Sequence, residues 1–365
     1  MIIEIDKDQF LERLILASHF TSDKLTTSIA LQGVSVGIKE DSISLYTTNL
    51  NVYYQTRLAI SGKGEAEFVI EPKRLIEFMQ FLQPGKITLD IKDKQTTILQ
   101  GKTKGNFPTM VVEDFPPPPK MPGKEQKIAT SFLTQNLPLI LFTASNDDAR
   151  PVLTGISFST DEDNLVMVAT DGFRLSLVKE RSKGIIPSMI VPAEFLQEVL
   201  RNINKEKEVG FSYSQEEKTI CFYVREHSFY SRLIEGEFPP YERVLPAEIK
   251  TTAILEKDDL MRNIKLISVF ARDFSNVVVC DFRKNELAMR PKKEGNEENT
   301  TVQEAQIKGE EMRVAFNFRY LLDFLNHTDS KSITIEMLRP DAPVVFRNEK
   351  NNDFLHIIMP VRIQE

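Results

Sequence analysis

The sequence predicts an α+β protein made of three similar domains, each with two helices packed on antiparallel sheets. The first observation is the stretch 150–178, RPVLTGISFSTDEDNLVMVATDGFRLSLV. It alternates apolar and polar residues through Val152, Gly155, Ile156 and Phe158, breaks at Thr160-Asp161-Glu162-Asp163-Asn164, and resumes as Leu165, Val166, Met167 and Val168. Two β-rich runs around a charged turn make a hairpin, and a second break at Asp171-Gly172 followed by the run 173–178 makes a three-stranded meander. The second observation is the segment IVPAEFLQEVLRNINK, which sets Phe195, Leu196, Val199 and Leu200 on one face at helical spacing, with Pro192 in the first turn, before strands resume in VGFSYSQEEKTICFYV. The third is recurrence. The unit of helix, strands, helix, strands repeats, its second helices starting near Pro72, Pro192 and Asn317, about 120 residues apart, a domain-sized period rather than a solenoid one.

Taken in order, residues 8–20 put Phe10, Leu11, Leu14 and Ile15 on one helical stripe with Asp8, Glu12 and Arg13 outside it. IALQGVSVGIKEDSISLYTTNLNVYYQTRL then reads as strand, polar turn at Lys39-Glu40-Asp41, strand and strand. A second helix at IEPKRLIEFMQFL carries Pro72 early, and KITLDIKDKQTTILQGKTKGNF closes the unit with a hairpin. The proline run 116–123, PPPPKMPG up to its glycine, is a stiff extended linker. The middle unit opens with a helix at TSFLTQNLPLILFTAS, interrupted by Pro138. The last opens at KDDLMRNIKLISVFA, where Leu260, Met261, Ile264 and Ile267 share a face. Its meander has an acidic tip at 294–299, its second helix is FNFRYLLDFLNH, and its final strands end in DFLHIIMPVRI. The expected domain boundaries are 1–124, 125–251 and 252–365.

A chain of 365 residues with 41% hydrophobic content is long enough for two or three domains with real cores. A formal charge of -7 argues weakly against nucleic acid, unless the charge is unevenly distributed. Cys221 and Cys280 lie inside apolar runs, where buried thiols are expected rather than a disulfide or metal ligands. The start, MIIEIDKDQF, has no basic region followed by a long apolar run, and no stretch reaches transmembrane length, so a cytoplasmic address is expected.

RPVLTGISF, VATDGFRLS, LIEGEFPPYERVLP and the terminal HIIMPVRI together resemble the bacterial sliding clamps, the beta subunits of DNA polymerase III, over the whole chain. None of these segments is diagnostic alone; four in order on a threefold repeat make the match specific. The resemblance implies the DNA clamp fold and a ring-shaped head-to-tail homodimer of six similar domains, helices lining a hole around duplex DNA. It implies sequence-independent binding of double-stranded DNA, loading by an ATP-driven clamp loader, and tethering of the polymerase III catalytic subunit and other clamp-motif proteins. It implies no catalysis, metal, cofactor or membrane.

A ring that slides holds DNA by position rather than by tight contact, so modest basic charge on inner helices suffices. Arg13, Lys73, Arg74, Arg201, Lys205, Arg262 and Lys265 lie outside the apolar stripes and are candidates to face DNA; ordinary solvated helix faces are the alternative. By similarity, Lys24 and the loop Asp147-Asp148-Ala149-Arg150 fall where clamps touch DNA, with Lys24 and Arg150 favoured because the two aspartates repel phosphate. The partner pocket of clamps, between the second and third domains, receives a short apolar motif. The resemblance puts Leu153, Thr170, Gly172, Phe173, Arg174 and Leu175 around it, with Pro239, Arg243 and Val244 from the linker and Ile357, Met359, Pro360, Val361 and Arg362 from the chain end. Apolar walls with adaptable Met359 and a few polar anchors suit many related peptides. Read without the resemblance, Leu153, Leu175 and Val244 are core and Arg174 and Arg243 surface. Phe173 stands where many clamps have histidine, which bears on the preferred peptide. For the dimer contact, Phe107 with Met110, facing Val269 and Phe270, are the equivalents, and Lys73 and Arg74 are also placed to meet Glu297 and Glu298.

Enzymatic alternatives find little support. Thr170-Asp171-Gly172 has the wrong order for an aspartic protease, and Thr47-Thr48-Asn49 supplies no second carboxylate. His19, His227, His327 and His356 are scattered without ligand spacing, and Gly101-Lys102-Thr103-Lys104-Gly105 lacks the upstream glycine of a phosphate loop. The remaining alternative is a cytoplasmic peptide-binding scaffold of clamp-like fold that does not bind DNA.

Overall fold

The computed structural model describes residues 1–22, 28–113, 115–121, 125–181, 186–203, 206–292 and 299–362. The first repeat runs β1 (Ile2–Asp6), α1 (Lys7–Ser18), β2 (Val34–Lys39), β3 (Ser42–Thr48), β4 (Val52–Ala59), β5 (Glu65–Ile70), α2 (Pro72–Gln80), β6 (Lys86–Lys92), β7 (Gln95–Gln100) and β8 (Thr103–Met110). The second runs β9 (Gln126–Ala129), α3 (Thr130–Asn136), α4 (Pro138–Leu141), β10 (Gly155–Asp161), β11 (Asn164–Thr170), β12 (Arg174–Arg181), β13 (Met189–Pro192), α5 (Ala193–Ile203), β14 (Glu208–Ser214), β15 (Thr219–Val224) and β16 (His227–Arg232). The third runs β17 (Thr251–Glu256), α6 (Lys257–Ala271), β18 (Val277–Arg283), β19 (Glu286–Pro291), β20 (Thr301–Glu304), β21 (Gln306–Gly309), β22 (Met312–Asn317), α7 (Phe318–His327), β23 (Ser332–Met337), β24 (Val344–Asn348) and β25 (Asn351–Ile358).

Helices start directly where strands stop, and the last strand residue is often the cap. The Asp6 carboxylate accepts from the Gln9 amide, Glu71 from Lys73 and Arg74, Glu256 from Asp259 and Asn317 from Arg319. Each cap satisfies an amide that the helix leaves unpaired, a contribution of about 1 kcal/mol. Pro138 divides the middle opening helix into α3 and α4, as its missing N–H requires. Pro72 sits in the first turn of α2, whereas Pro192 ends β13 and the helix begins at Ala193.

Several expectations change in detail. The runs read as strands at 29–32 and 151–154 are single 3-10 turns, and pairing begins at Val34 and Gly155. A glycine stands at each transition because a Cβ on Gly33 would meet Val69 at 2.4 Å and one on Gly155 would meet Ile190 at 2.6 Å. On α6, Met261 is only half-buried, while the polar Asn263 and Ser268 are buried. Cys221 and Cys280 are both free and buried, and burial pushes the Cys221 thiol up to about 12.

All strand pairings in the described residues are antiparallel. They form a 12-stranded sheet in the order β1-β6-β7-β8-β5-β2-β3-β4-β16-β15-β14-β9, a 9-stranded sheet β13-β10-β11-β12-β25-β24-β23-β17-β21, and a 4-stranded sheet β20-β19-β18-β22. The middle repeat is shared, its later strands joining the first repeat through β4 and β16 and its meander joining the third through β12 and β25. Two compact units result: Met1–Thr130 with Glu198–Leu233, and Ser131–Gln197 with Ile234–Glu365. Among the described residues no helix is long and apolar enough to cross a membrane.

Candidate functional site

The turn between β11 and β12 is built from its own side chains. The Thr170 hydroxyl donates to the Arg174 carbonyl at 2.7 Å and accepts from the Gly172 amide at 3.0 Å, while one Asp171 oxygen accepts from the amides of Phe173 and Arg174 at 2.8 and 3.0 Å. Gly172 supplies the left-handed backbone at φ 92°. Phe173 is left 58% exposed at the tip. Behind the turn, β12 pairs with β25 so that Leu175 faces Ile357, and the Met359 amide donates to the Phe173 carbonyl at 2.8 Å. The face so formed is aliphatic: Val166, Val168, Leu175, Leu177, Val345 and Ile357 cluster there, with Phe238, Tyr241, Val244 and Leu245 packed on them.

Thus Thr170, Gly172, Phe173, Arg174, Leu175, Val244, Ile357 and Met359 come together. Pro239 and Arg243 are exposed on the covering segment beside Phe238 and Tyr241. Leu153 is buried in the 3-10 turn Pro151–Thr154, Pro360 is half-buried and Arg362 is exposed. Val361 donates its amide to the Ala315 carbonyl at 2.8 Å and packs on Val277, Val279 and Ala315, a patch of the 4-stranded sheet.

Arg174 has a different task from a free peptide anchor. Its guanidinium reaches Asp171 at 3.1 Å, Asp323 on α7 at 2.6 Å and the Phe142 carbonyl at 2.9 Å, and lies over the Tyr320 ring at 4.7 Å. Its side chain is only 10% exposed. It therefore pins the turn to α4 and α7. Beside it, the buried His356 bonds Ser176 at 2.8 Å, Ser176 bonds Thr143 at 2.7 Å, and the imidazole stacks on Phe324 at 5.1 Å. Its Nε2 is buried without a hydrogen-bond partner among the described residues. Val345, Tyr241, Tyr320 and Asp323 were not identified from the sequence. Val345 is signalled by the apolar run of β24, but Asp323 reads as an ordinary outward helix residue.

Burial, then the nearby Arg174 and His327, hold the His356 pKa well below its ordinary 6.5. The folded chain thus refuses a proton that the unfolded chain accepts. Stability is fully present above about pH 6.5 and falls as pH drops below it, by up to about 1.4 kcal/mol per pH unit, until the folded-state pKa is reached. Urea midpoints at pH 7 and 5.5 are expected to show this fall, and His356→Gln to flatten it; an identical slope in the variant contradicts the assignment.

Of the basic residues, Lys24 and Lys205, like Glu297 and Glu298, lie outside the described residues. Lys73, Arg74 and Lys265 are exposed. Arg150, Arg201 and Arg262 are exposed too, each beside a carboxylate three residues away, Asp147, Glu198 and Asp259. Such surface pairs are worth under about 1 kcal/mol. The Ala149 amide and Arg150 hold the Asp147 carboxyl below the usual range. Arg13 departs from expectation: its side chain is only 13% exposed, folded back to the Gln9 carbonyl and toward Glu226, because the helix flank beyond the apolar stripe is also covered. Arg262 and Lys265 line a groove of about 450 Å³ on α6 with Asp258, Met261, Leu266 and Val269.

The four residues read as dimer contacts differ among themselves. Val269 and Phe270 are 60% and 44% exposed, joined by Leu266 at 53%. Phe107 is buried edge-on against Phe78, and Met110 is half-buried over Leu31, Val69 and Phe115. Phe81, 82% exposed after α2, was missed because it continues the apolar helix pattern.

Asp171 is occupied as the turn acceptor and Arg174 partner. His227 contacts Tyr54 at 2.7 Å, and the described residues contain no group of three or more His, Cys, Asp or Glu placed to hold a metal.

Three family models match in succession: the N-terminal domain of the DNA polymerase III beta subunit over residues 1–121, its central domain over 127–240 and its C-terminal domain over 242–362. The beta sliding clamp of Treponema pallidum is 25% identical over 374 residues, covering 100% of both chains, and that of Bacillus subtilis 23% over 381 residues, covering 99% of this chain and 100% of the other. Solved structures of similar fold include the DNA polymerase III beta subunit of Pseudomonas aeruginosa, TM-score 0.90 at 23% identity over 99% of this chain and 100% of that one. Another is the sliding clamp of Bartonella birtlesii bound to griselimycin, TM-score 0.91 at 24% identity over 100% of both. With matching models along nearly its whole length, the chain belongs to the DNA polymerase III beta subunit family, the sliding clamps of DNA replication, which are processivity factors and not enzymes.

Proposed function

We propose that two copies of this chain close head to tail into a ring around duplex DNA. The ring holds DNA without regard to sequence and tethers the polymerase III catalytic subunit, the clamp loader and other proteins with short apolar clamp motifs. The domains are 1–124, 125–251 and 252–365, and the protein works in the cytoplasm. One observation carries the ring. Each repeat has a three-stranded meander after its opening helix and closes with three more strands; the last strand of one meander, β4 or β12, pairs with the last closing strand of the next repeat, β16 or β25. Two such strands remain. β20 pairs only with β19 among the described residues, and β8 meets β5 only at Thr109 and Met110, leaving 103–107 with β7 alone. A β20–β8 junction between copies repeats the internal ones and removes both open edges.

Tethering is assigned to the aliphatic face of β12 and β25 with the Phe173 turn and Met359. Griselimycin, bound by the Bartonella birtlesii clamp, is the probe we assign to this site. Combined Met359→Ala and Arg362→Ala substitution is expected to weaken griselimycin binding at least about 30-fold, the equivalent of about 2 kcal/mol at an interface anchor. The same variant is expected to lose stimulation of processive synthesis by the cognate polymerase while remaining dimeric. Unchanged affinity removes the pocket assignment; peptide binding without any polymerase stimulation by the wild type favours the scaffold that does not bind DNA.

A further inference from the structure

The seam between the first and second repeats, wholly inside the first compact unit, is built like the seam that bears the proposed partner site. The Thr48 hydroxyl donates to the Val52 carbonyl at 2.8 Å and accepts from the Leu50 amide at 2.8 Å; the Asn49 side-chain oxygen accepts from the amides of Asn51 and Val52 at 3.0 and 2.9 Å. These are the bonds of the 170–174 turn, atom for atom. Leu50 holds the left-handed backbone, φ 76°, that Gly172 holds at 92°. The Arg232 amide donates to the Asn51 carbonyl at 2.8 Å, as the Met359 amide does to Phe173.

The registers therefore correspond, and the side chains can be compared position by position. Tyr53 faces Tyr230 across β4 and β16 where Leu175 faces Ile357 across β12 and β25. Cys221 stands beside Tyr230 as Val345 stands beside Ile357, and Tyr46 beside Gln55 as Val168 beside Leu177. The result is a tyrosine cluster: Tyr53, Cys221 and Tyr230 buried, with Tyr46, Tyr223 and Met121 packed on them. Tyr46 stacks on Tyr53 at 6.4 Å and edges onto Phe115 at 5.5 Å, and its hydroxyl is buried without a hydrogen-bond partner among the described residues.

We propose that the first seam is a closed duplicate of the partner site, filled by its own phenols and by Met121 and Phe115 of the linker. Tyr53 and Tyr230 are then the specificity-determining residues that restrict each chain to one partner peptide. Branched aliphatic side chains at these register positions leave the space above them to Phe238, Tyr241, Val244 and Leu245, half-buried side chains that a peptide's anchor residues can displace. Tyrosines reach further from the same backbone and occupy that space, stacking on one another and on the linker. This rests on the reading of the second seam as the peptide site.

Hydrogen exchange of the wild-type dimer, with and without saturating griselimycin, separates the two claims. Protection is expected at 172–175 and 359 and none at 50–53 and 232. Protection at both seams overturns the closure while leaving the partner site intact; no protection at either removes the partner site and the inference with it. Calorimetric titration supplies the second arm. The wild type is expected to take one griselimycin per chain, and Tyr53→Leu with Tyr230→Ile, which restores aliphatic side chains at the matching positions, to take two. Single Tyr53→Leu is carried in parallel in case the double variant does not fold. Folded variants that all still take one overturn the assignment of specificity to these tyrosines.

Discussion

Val269→Asp is expected to turn the proposed dimer into monomers, raising its dissociation constant by at least about 1000-fold, the equivalent of about 4 kcal/mol. Single exposed aliphatic residues are ordinary, but Leu266, Val269 and Phe270 form one continuous exposed face on α6. The internal repeat says what should meet it. Counted from the starts of the opening helices at Lys7, Thr130 and Lys257, His19, Phe142 and Val269 occupy the same position. His19 lies 3.6 Å from Glu198 on α5, and Phe142 stacks on His327 of α7 at 4.4 Å. Counted from the starts of α2 and α7 at Pro72 and Phe318, the residue matching His327 is Phe81, the most exposed large hydrophobic in the described structure at 82%. Val269 of one copy against Phe81 of the next repeats the contact of Phe142 with His327; the His19 partner, Glu198, sits four positions earlier on its helix. A carboxylate there must be desolvated against an apolar contact, at a cost of several kcal/mol in each of two interfaces. Sedimentation velocity checks it; a variant that sediments as the wild type across the concentration range shows that this face is not the contact.

Arg174→Ala is expected to destabilise the unit formed by Ser131–Gln197 and Ile234–Glu365 by about 3–5 kcal/mol. The substitution leaves Asp171, only 16% exposed, and the Phe142 carbonyl without their guanidinium, and it exposes Tyr320. In a unit of about 200 residues this lowers the melting temperature by about 10 °C. Arg174→Lys is expected to recover little, since an ammonium cannot serve two carboxylates and a carbonyl while stacking on a ring. Scanning calorimetry that resolves the transition of this unit decides it. A loss below about 1 kcal/mol means that the pairs are surface decoration and that Arg174 is free to serve a peptide.

The sequence carried the repeat well because periodicity is a local property. The meander around Asp171-Gly172, the helix after Pro192 and the break at Pro138 all follow from residues within a few positions of one another. Long-range facts were harder to read. That the middle repeat is split between two sheets depends on β4 meeting β16 and β12 meeting β25, pairings between strands more than 150 residues apart. Arg174 looked like an exposed anchor because its decisive partner, Asp323, lies on a distant helix. Arg13 looked solvated because a single helix period cannot say how wide the covered face will be. The 3-10 turns at 29–32 and 151–154 imitate strands because each carries apolar residues, Ile29, Ala30 and Leu31 in one and Val152 and Leu153 in the other, shortly before a glycine that close packing demands. At the first seam the sequence shows tyrosines in ordinary strands; only the matched turn bonds reveal that they stand where Leu175 and Ile357 stand in the second.

The most direct test of the central claim is negative-stain electron microscopy of the purified protein at micromolar concentration. Closure of β20 of one copy on β8 of the next predicts a closed, six-lobed ring with a hole wide enough for a duplex. A field of crescents alone, at concentrations where the protein sediments as a single species, contradicts the ring and, with it, the topological grip on DNA.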